Sequence, residues 1–337
     1  MRLLLKLLVF LTLFAAALAT GLGWLAWRPL SLPAAPTEFS VPPGASLRQA
    51  AQAITASGIE LPAWQFELLG RLFGRATKIK AGSYAESETT SAWRLLDKLT
   101  RGEVSQNRLL LVEGRTFAEF RAQLDAAPDL RHDSAGLPAA DLLARIGAHE
   151  TQPEGLFFPD TYWYDKGSSD LALLARAYHA MQRRLDSVWA ARDPALPVTT
   201  PYELLILASI VEKETGLAAD RPQVAAVFAN RLKLGMPLQT DPTVIYGLGG
   251  DFDGNLRLRD LHADTPWNTY TRRGLPPTPI ALPGLAALQA AANPPPSDKL
   301  YFVAEGGQGD DAPRGSVFSR TLEEHNRAVA KHQKKKG

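Results

Sequence analysis

From Leu7 to Trp27 the chain carries no charged residue and almost no polar one. About 21 residues at 1.5 Å each reach roughly 30 Å, the thickness of a hydrocarbon core, so this run predicts a membrane-spanning helix. Arg2 and Lys6 stand before it and Trp24 and Trp27 near its far end. Positive charge on one flank and interfacial aromatics on the other place residues 1–6 in the cytoplasm and the body of the chain outside. Ala17-Leu18-Ala19 resembles a signal-peptidase site, which makes a cleaved signal the rival reading. The apolar run continues past that site to Trp27, which favours an uncleaved anchor at 7–27. Residues 28–38, with Pro29, Pro33 and Pro36, read as a stiff extended linker.

Shorter patterns follow. Val41-Pro42-Pro43-Gly44 ends a strand in a turn, Ser46 caps an Ala-rich helix, a second helix runs near Trp64 to Phe73, and Ala81 to Tyr84 is a short strand. Residues 39–106 therefore predict a small α+β module. Val112-Glu113-Gly114-Arg115-Thr116-Phe117 repeats the strand, Gly turn and capped-helix design and opens a larger mixed α+β region over 107–330. Aromatics crowd the stretch from Glu154 to Tyr164, a density able to stack on sugar rings but better suited to the inward face of a strand, with Asp160 and Tyr162 as candidate groove residues. Residues 331–337 are a basic tail, read as a solvated, frayed end.

The densest candidate chemistry lies between residues 200 and 277. Thr200-Pro201-Tyr202-Glu203 predicts a capped helix start, and Gly216 a stop. Leu204, Leu207, Ala208 and Val211 make its apolar stripe, with Tyr202, Ser209 and Lys213 on the opposite side. Glu212 and Glu214 then fall on the two flanks of that stripe, in the last turn. A carboxylate there feels the negative end of the helix dipole and partial burial, and both raise its pKa toward the range of a general acid. Helical geometry leaves both glutamates open as the acid, or as solvated helix-end charges.

Asp220 predicts the cap of a second helix ended by Gly235, and Asp241 the cap of a third turn through Tyr246. Gln239, Thr240 and Asp241 gather polar groups before Pro242. Asn268-Thr269-Tyr270 with Gly274-Leu275-Pro276-Pro277 forms a second polar and aromatic loop able to line a groove. Gln239, Thr240, Asp241, Tyr246, Asn268 and Tyr270 are the candidate substrate-binding residues.

Composition narrows the chemistry. Thirty-seven Lys and Arg against 35 Asp and Glu give a net charge of +2, which offers no case for a nucleic-acid partner. The absence of Cys excludes disulfides and thiolate catalysis, and six scattered His without ligand spacing predict no metal and no cofactor.

The runs ASIVEKET (Ala208 to Thr215), LQTDPTVIYG (Leu238 to Gly247), NTY with GLPP (Asn268 to Pro277), LYFV (Leu300 to Val303) and EHN (Glu324 to Asn326) resemble the YceG-like family, in the same order and over nearly the whole chain. The resemblance implies a membrane-anchored, endolytic lytic transglycosylase of peptidoglycan, acting on glycan strands in the cell inner membrane as a terminase of glycan elongation, with its body periplasmic. It implies that residues 39–106 are LysM-like, that Glu214 is the catalytic acid, and that peptidoglycan synthases are candidate partners. The chain departs from the family in one place: where members often carry Gly-His-x-Phe, it reads Gly315-Ser316-Val317-Phe318, so no role of that His transfers and Ser316 is a weaker hydrogen-bonding substitute. Two rival functions stand beside this one. One is a water-using muramidase with Glu212 or Asp241 as second carboxylate; the other is a non-catalytic peptidoglycan-binding scaffold.

Overall fold

The computed structural model describes residues 2–305 and 315–332. It is α+β and divides into two compact units, Met1–Arg108 with Trp163–Ser168, and Leu109–Tyr162 with Ser169–Gly337.

Unit 1 begins with α1 (Arg2–Trp27), a helix whose apolar side chains are exposed through Ala19, with Leu22 and Leu25 half-buried before Ala26 reaches the core. Strand β1 (Thr37–Val41) follows, then α2 (Leu47–Ala56), α3 (Ala63–Leu72), β2 (Gly82–Glu86) and α4 (Ala92–Arg101). Strand β3 (Gln106–Leu110) leads out of the unit. Thr37, Phe39 and Val41 alternate inward along β1, which pairs antiparallel with β2 and sets Phe39 opposite Tyr84. Ser46 caps α2 in a reciprocal box with Gln49. Leu95, Leu96 and Leu99 of α4 close the core with Ile54 and Phe66, each fully buried side chain contributing about 1.5–3 kcal/mol.

The expected linker is part of this unit. Leu30 is 2% exposed and donates its N–H to Thr90 O at 2.9 Å, and β1 has begun by Thr37. Burying Leu30 outweighs the stiffness that a Pro-rich composition suggested.

Unit 2 continues with α5 (Phe117–Asp125), α6 (Ala139–Arg145), β4 (Thr161–Asp165), α7 (Asp170–Ala190) and α8 (Pro201–Glu214). Then come α9 (Arg221–Lys233), α10 (Asp241–Leu248), α11 (Leu258–His262), α12 (Leu285–Ala292), β5 (Tyr301–Ala304), β6 (Ser316–Ser319) and α13 (Leu322–His332). Strands β3 and β4 pair, and the division between the units falls within both. Thr116 caps α5 in a box with Glu119, as Ser46 does for α2, so the duplicated turn design is present in three dimensions. Strands β5 and β6 pair antiparallel, and α13 packs on them. Lys331 and His332 end α13; residues 333–337 of the basic tail lie outside the described residues.

Helix α8 is the core of unit 2. It starts where the sequence places it, with Glu203 N donating to Thr200 Oγ1 at 3.1 Å. The Glu203 carboxylate, however, accepts from Thr199 N and Oγ1 at 2.6 and 2.9 Å, so the return half of the box reaches one residue further back. The expected single apolar stripe is replaced by burial all round: every residue from Leu204 to Val211 is buried, because α7, α9, α10 and α12 pack about it. Ser209, expected on the polar side, is buried too. Its hydroxyl donates to Ile206 O at 2.7 Å and accepts from Ile280 N at 3.0 Å, which satisfies it.

Two expected caps are absent. Asp220 precedes α9 with helical backbone angles and makes no side-chain cap bond. Thr240, not Asp241, takes the N-cap position of α10, and neither side chain bonds the helix end. Pro222 and Pro242 near the two helix starts lack an N–H, which lowers the demand for a cap.

Candidate active site

Glu214 is the last residue of α8, and its neighbour in space is the Gln239-Thr240-Asp241 turn that enters α10. A mesh of threonines fixes that turn. Thr240 N donates to Thr269 Oγ1 at 3.1 Å, Gln239 N to Thr269 O at 3.1 Å, and Thr243 Oγ1 to Thr240 O at 2.7 Å. Gln239 sits at φ 52°, the left-handed region that ordinarily favours glycine, a conformation costing on the order of 1–3 kcal/mol that the mesh holds in place.

Thr240 Oγ1 donates to Glu214 Oε1 in a short hydrogen bond. Burial raises the pKa of Glu214 most, and the Asp241 charge adds to it; the Thr240 bond and the Arg231 cation oppose them. The balance stands at about 7, so near neutral pH the group is a proton donor and its conjugate base in comparable amounts.

Glu214 lines a cleft of about 490 Å³ together with Gln239, Asp241 and Tyr270. Tyr301 of β5, Ser316 of β6 and His325 of α13 line it as well. Tyr270 OH donates to Asp241 Oδ1 at 2.6 Å, which orients a second carboxylate in the same cleft. Arg231 of α9 is 8% exposed and reaches the cleft from the interior. Its Nε donates to Leu300 O at 2.7 Å and its Nη1 to Leu238 O at 2.9 Å and Gln239 Oε1 at 3.4 Å. The His325 ring stacks on Tyr301 at 5.4 Å, and its buried Nδ1 has no hydrogen-bond partner among the described residues. Burial, with the Arg231 charge, lowers the pKa of His325.

Helix geometry left Glu212 and Glu214 both open, and their surroundings differ. Glu212 is outside the cleft: it accepts from Gly284 N at 2.9 Å and pairs with Arg221 at 3.8 Å, bracing the turn before α12. A Cβ on Gly284 would lie 2.0 Å from Glu113 Oε1, so a side chain there requires the Glu113 carboxylate to move.

Gln239, Asp241 and Tyr270 reach the cleft, and Thr240 acts behind them through Glu214. Tyr246 and Asn268 do not line it. Tyr246 OH donates to Glu154 Oε2 at 3.1 Å, and its ring meets Trp267 edge-on at 5.7 Å. Asn268 is fully buried; its amide donates to the carbonyls of Asp260, Leu261 and Ala263, and its Oδ1 accepts from Tyr270 N at 2.9 Å. It therefore fixes the backbone that presents Tyr270. Asp160 and Tyr162 also lie away from the cleft: Tyr162 OH donates to Phe158 O at 2.6 Å, and Asp160 faces Arg184 at 3.7 Å. Gly274 to Pro277 line a separate depression with Thr200 and Tyr202.

Sequence reasoning gave no role to Arg231, whose partners all lie outside its own helix, or to Glu154. Glu154 is 5% exposed, accepts from Phe117 N at 2.9 Å as well as from Tyr246, and burial raises its pKa to about 7. Tyr301 and His325 carried a signal, since the LYFV and EHN runs contain them.

The sequence profile of the YceG-like family matches residues 39–331. A Bacillus subtilis (strain 168) protein named endolytic murein transglycosylase is 39% identical over 179 residues, 53% of this chain and 48% of its own length. A Streptococcus pneumoniae (strain D39) protein of the same name is 28% identical over 368 residues, 96% of this chain and 64% of its own length. The chain thus spans about half to two thirds of the length of these relatives. A crystal structure of a YceG-like protein from Listeria monocytogenes superposes with a TM-score of 0.54 and 27% identity, covering 87% of this chain and 98% of that one. With the family profile spanning both the small module and the cleft-bearing unit, the chain belongs to the YceG-like family.

Proposed function

We propose that this protein is an endolytic lytic transglycosylase of peptidoglycan, cleaving the β-1,4 bond between N-acetylmuramic acid and N-acetylglucosamine. The observation that carries the reading is Glu214, a carboxyl group with a pKa of about 7 on the wall of an open cleft. The names of the two relatives support it.

Glu214 first gives its proton to the glycosidic oxygen, which breaks the bond to the muramic C1 and leaves an oxocarbenium-like centre. The resulting carboxylate then takes the proton of the muramic C6 hydroxyl, whose oxygen closes onto C1 as a 1,6-anhydro ring. One carboxyl thus serves as acid and then base, and a pKa near 7 suits both halves. Asp241, which lines the same cleft and is oriented by Tyr270, is the second carboxylate available to stabilise the cationic centre. Gln239, Ser316 and His325 offer hydrogen-bonding groups to sugar hydroxyls and acetamides.

The same Asp241 favours a second reading, a muramidase in which it activates water. Mass spectrometry of purified glycan strands digested by the detergent-solubilised full chain separates the two. Anhydro ends are expected. Products heavier by one water select the muramidase, and intact strands with folded protein select a binding scaffold.

On this reading α1 is an uncleaved single-pass anchor in the cell inner membrane with residues 1–6 cytoplasmic, supported by its length, exposed apolar surface and preceding Arg2 and Lys6. Residues 39–106 act as a LysM-like module that delivers the cleft to glycan, and peptidoglycan synthases are the natural partners of an enzyme that cuts nascent strands.

A further inference from the structure

Helix α3 is apolar on two faces. Phe66 and Leu69 enter the core of unit 1, whereas Trp64, Leu68 and Leu72, spaced i, i+4 and i+8, remain 61%, 37% and 56% exposed, followed by Phe73 at 45%. A helix with apolar groups on opposite sides is one whose second face is covered by something.

Its position says by what. At its first turn Gln65 Oε1 accepts from Arg28 at 3.3 Å. At its end the Phe73 ring meets Trp93 edge-on at 4.9 Å, and Trp93 meets Trp27 at 5.8 Å. Both ends of α3 are therefore tied to residues 27 and 28, where α1 finishes its apolar run. On α1 itself Trp24 and Trp27 are 64% and 58% exposed, with the Arg28 guanidinium over the Trp24 ring at 5.3 Å. Exposed tryptophans next to arginine are the composition of a membrane–water interface. Arg48 of α2 and Arg71 of α3, both 67% exposed, share Glu67 of α3, which adds cationic groups beside the apolar face.

We propose that the Trp64, Leu68, Leu72 and Phe73 face of α3 lies in the headgroup region of the bilayer that α1 enters, so that unit 1 rests on the lipid surface and does not hang from a free tether. This rests on reading α1 as a membrane span. A face tied at both ends to the exit turn of a membrane helix lies at the depth of lipid headgroups, which makes lipid its occupant ahead of a soluble partner.

The chain has no Cys, so single cysteines introduced by Leu68→Cys, Leu72→Cys, Phe14→Cys and Lys233→Cys give unique attachment sites for a nitroxide. The full-length protein is reconstituted in vesicles of phosphatidylethanolamine and phosphatidylglycerol, and collisions with oxygen and with a water-soluble nickel chelate are measured. At positions 68 and 72 the oxygen-to-nickel ratio is expected several-fold above that at 233 and below that at 14. Labels at 68 and 72 as nickel-accessible as the label at 233, with 14 protected, overturn the proposal and leave the anchor standing. A nickel-accessible label at 14 sinks the anchor reading and the proposal with it. Spin–spin broadening at 68 that disappears on dilution with unlabelled protein assigns the face to a second copy and also overturns it.

Discussion

Thr240 donates its hydroxyl hydrogen to Glu214 Oε1, which leaves Oε2 as the oxygen that carries the exchangeable proton. The bond favours the ionised carboxyl, yet burial outweighs it and holds the pKa at about 7. An acid must be protonated to act, so turnover should fall as pH rises through about 7. In Thr240→Val the stabilising bond is gone and the pKa rises, which moves the alkaline limb of the pH–rate profile upward. The maximal rate should drop by about tenfold, the worth of one hydrogen bond that aims the carboxyl. A limb that stays in place would show that another group titrates.

Glu214→Gln keeps the shape of the side chain and its bond from Thr240 but removes the transferable proton. Turnover on glycan strands should fall by about 10² or more with the thermal unfolding midpoint nearly unchanged. Near-normal release of anhydro-muropeptides by this variant would remove Glu214 from the reaction.

The negative charge of Asp241 raises the pKa of Glu214. Asp241→Asn retains an acceptor for Tyr270 OH and loses the charge, so the alkaline limb should move to lower pH. On the transglycosylase reading the products of this variant still end in anhydro rings. A variant of a water-using muramidase would instead lose its general base and nearly all hydrolysis.

Glu154 links stability to pH. Its folded pKa of about 7 lies above the ordinary glutamate value of 4.5, so between these pH values the folded state holds a proton that the unfolded chain has lost. Its contribution is most favourable below about 4.5 and declines as pH rises to about 7, by up to about 3 kcal/mol at 1.36 kcal/mol per unit. Glu154→Gln can still accept from Phe117 N and removes the titration. Denaturant unfolding at pH 5 and pH 8 should show a smaller loss of stability for the variant than for the parent; equal losses would mean that Glu154 is ionised throughout.

Local physics in the chain determined a good deal of this protein. Ser46, Thr116 and Thr200 start helices where their hydroxyls can reach a backbone N–H three residues on, and the uncharged run to Trp27 is helical throughout. Those interactions span a few residues, so they are legible in order. What surrounds a helix is not local. The 3.6-residue period put Glu212 and Glu214 on two flanks of α8, but only the packing of α9, α10 and α12 gave Glu212 the Gly284 N–H and Arg221, and gave Glu214 the Thr240 hydroxyl and the cleft. The same holds for Asn268 and Tyr246, polar residues that a sequence offers as ligands for a substrate and that the fold turns inward to satisfy backbone carbonyls and Glu154. Arg231 lay beyond any sequence pattern, because every group that makes its burial tolerable arrives from the 237–239 turn or from Leu300. Periodicity fixes the direction of a side chain within its own element; whether that direction holds water, a neighbour or a cleft depends on contacts between segments far apart in the chain.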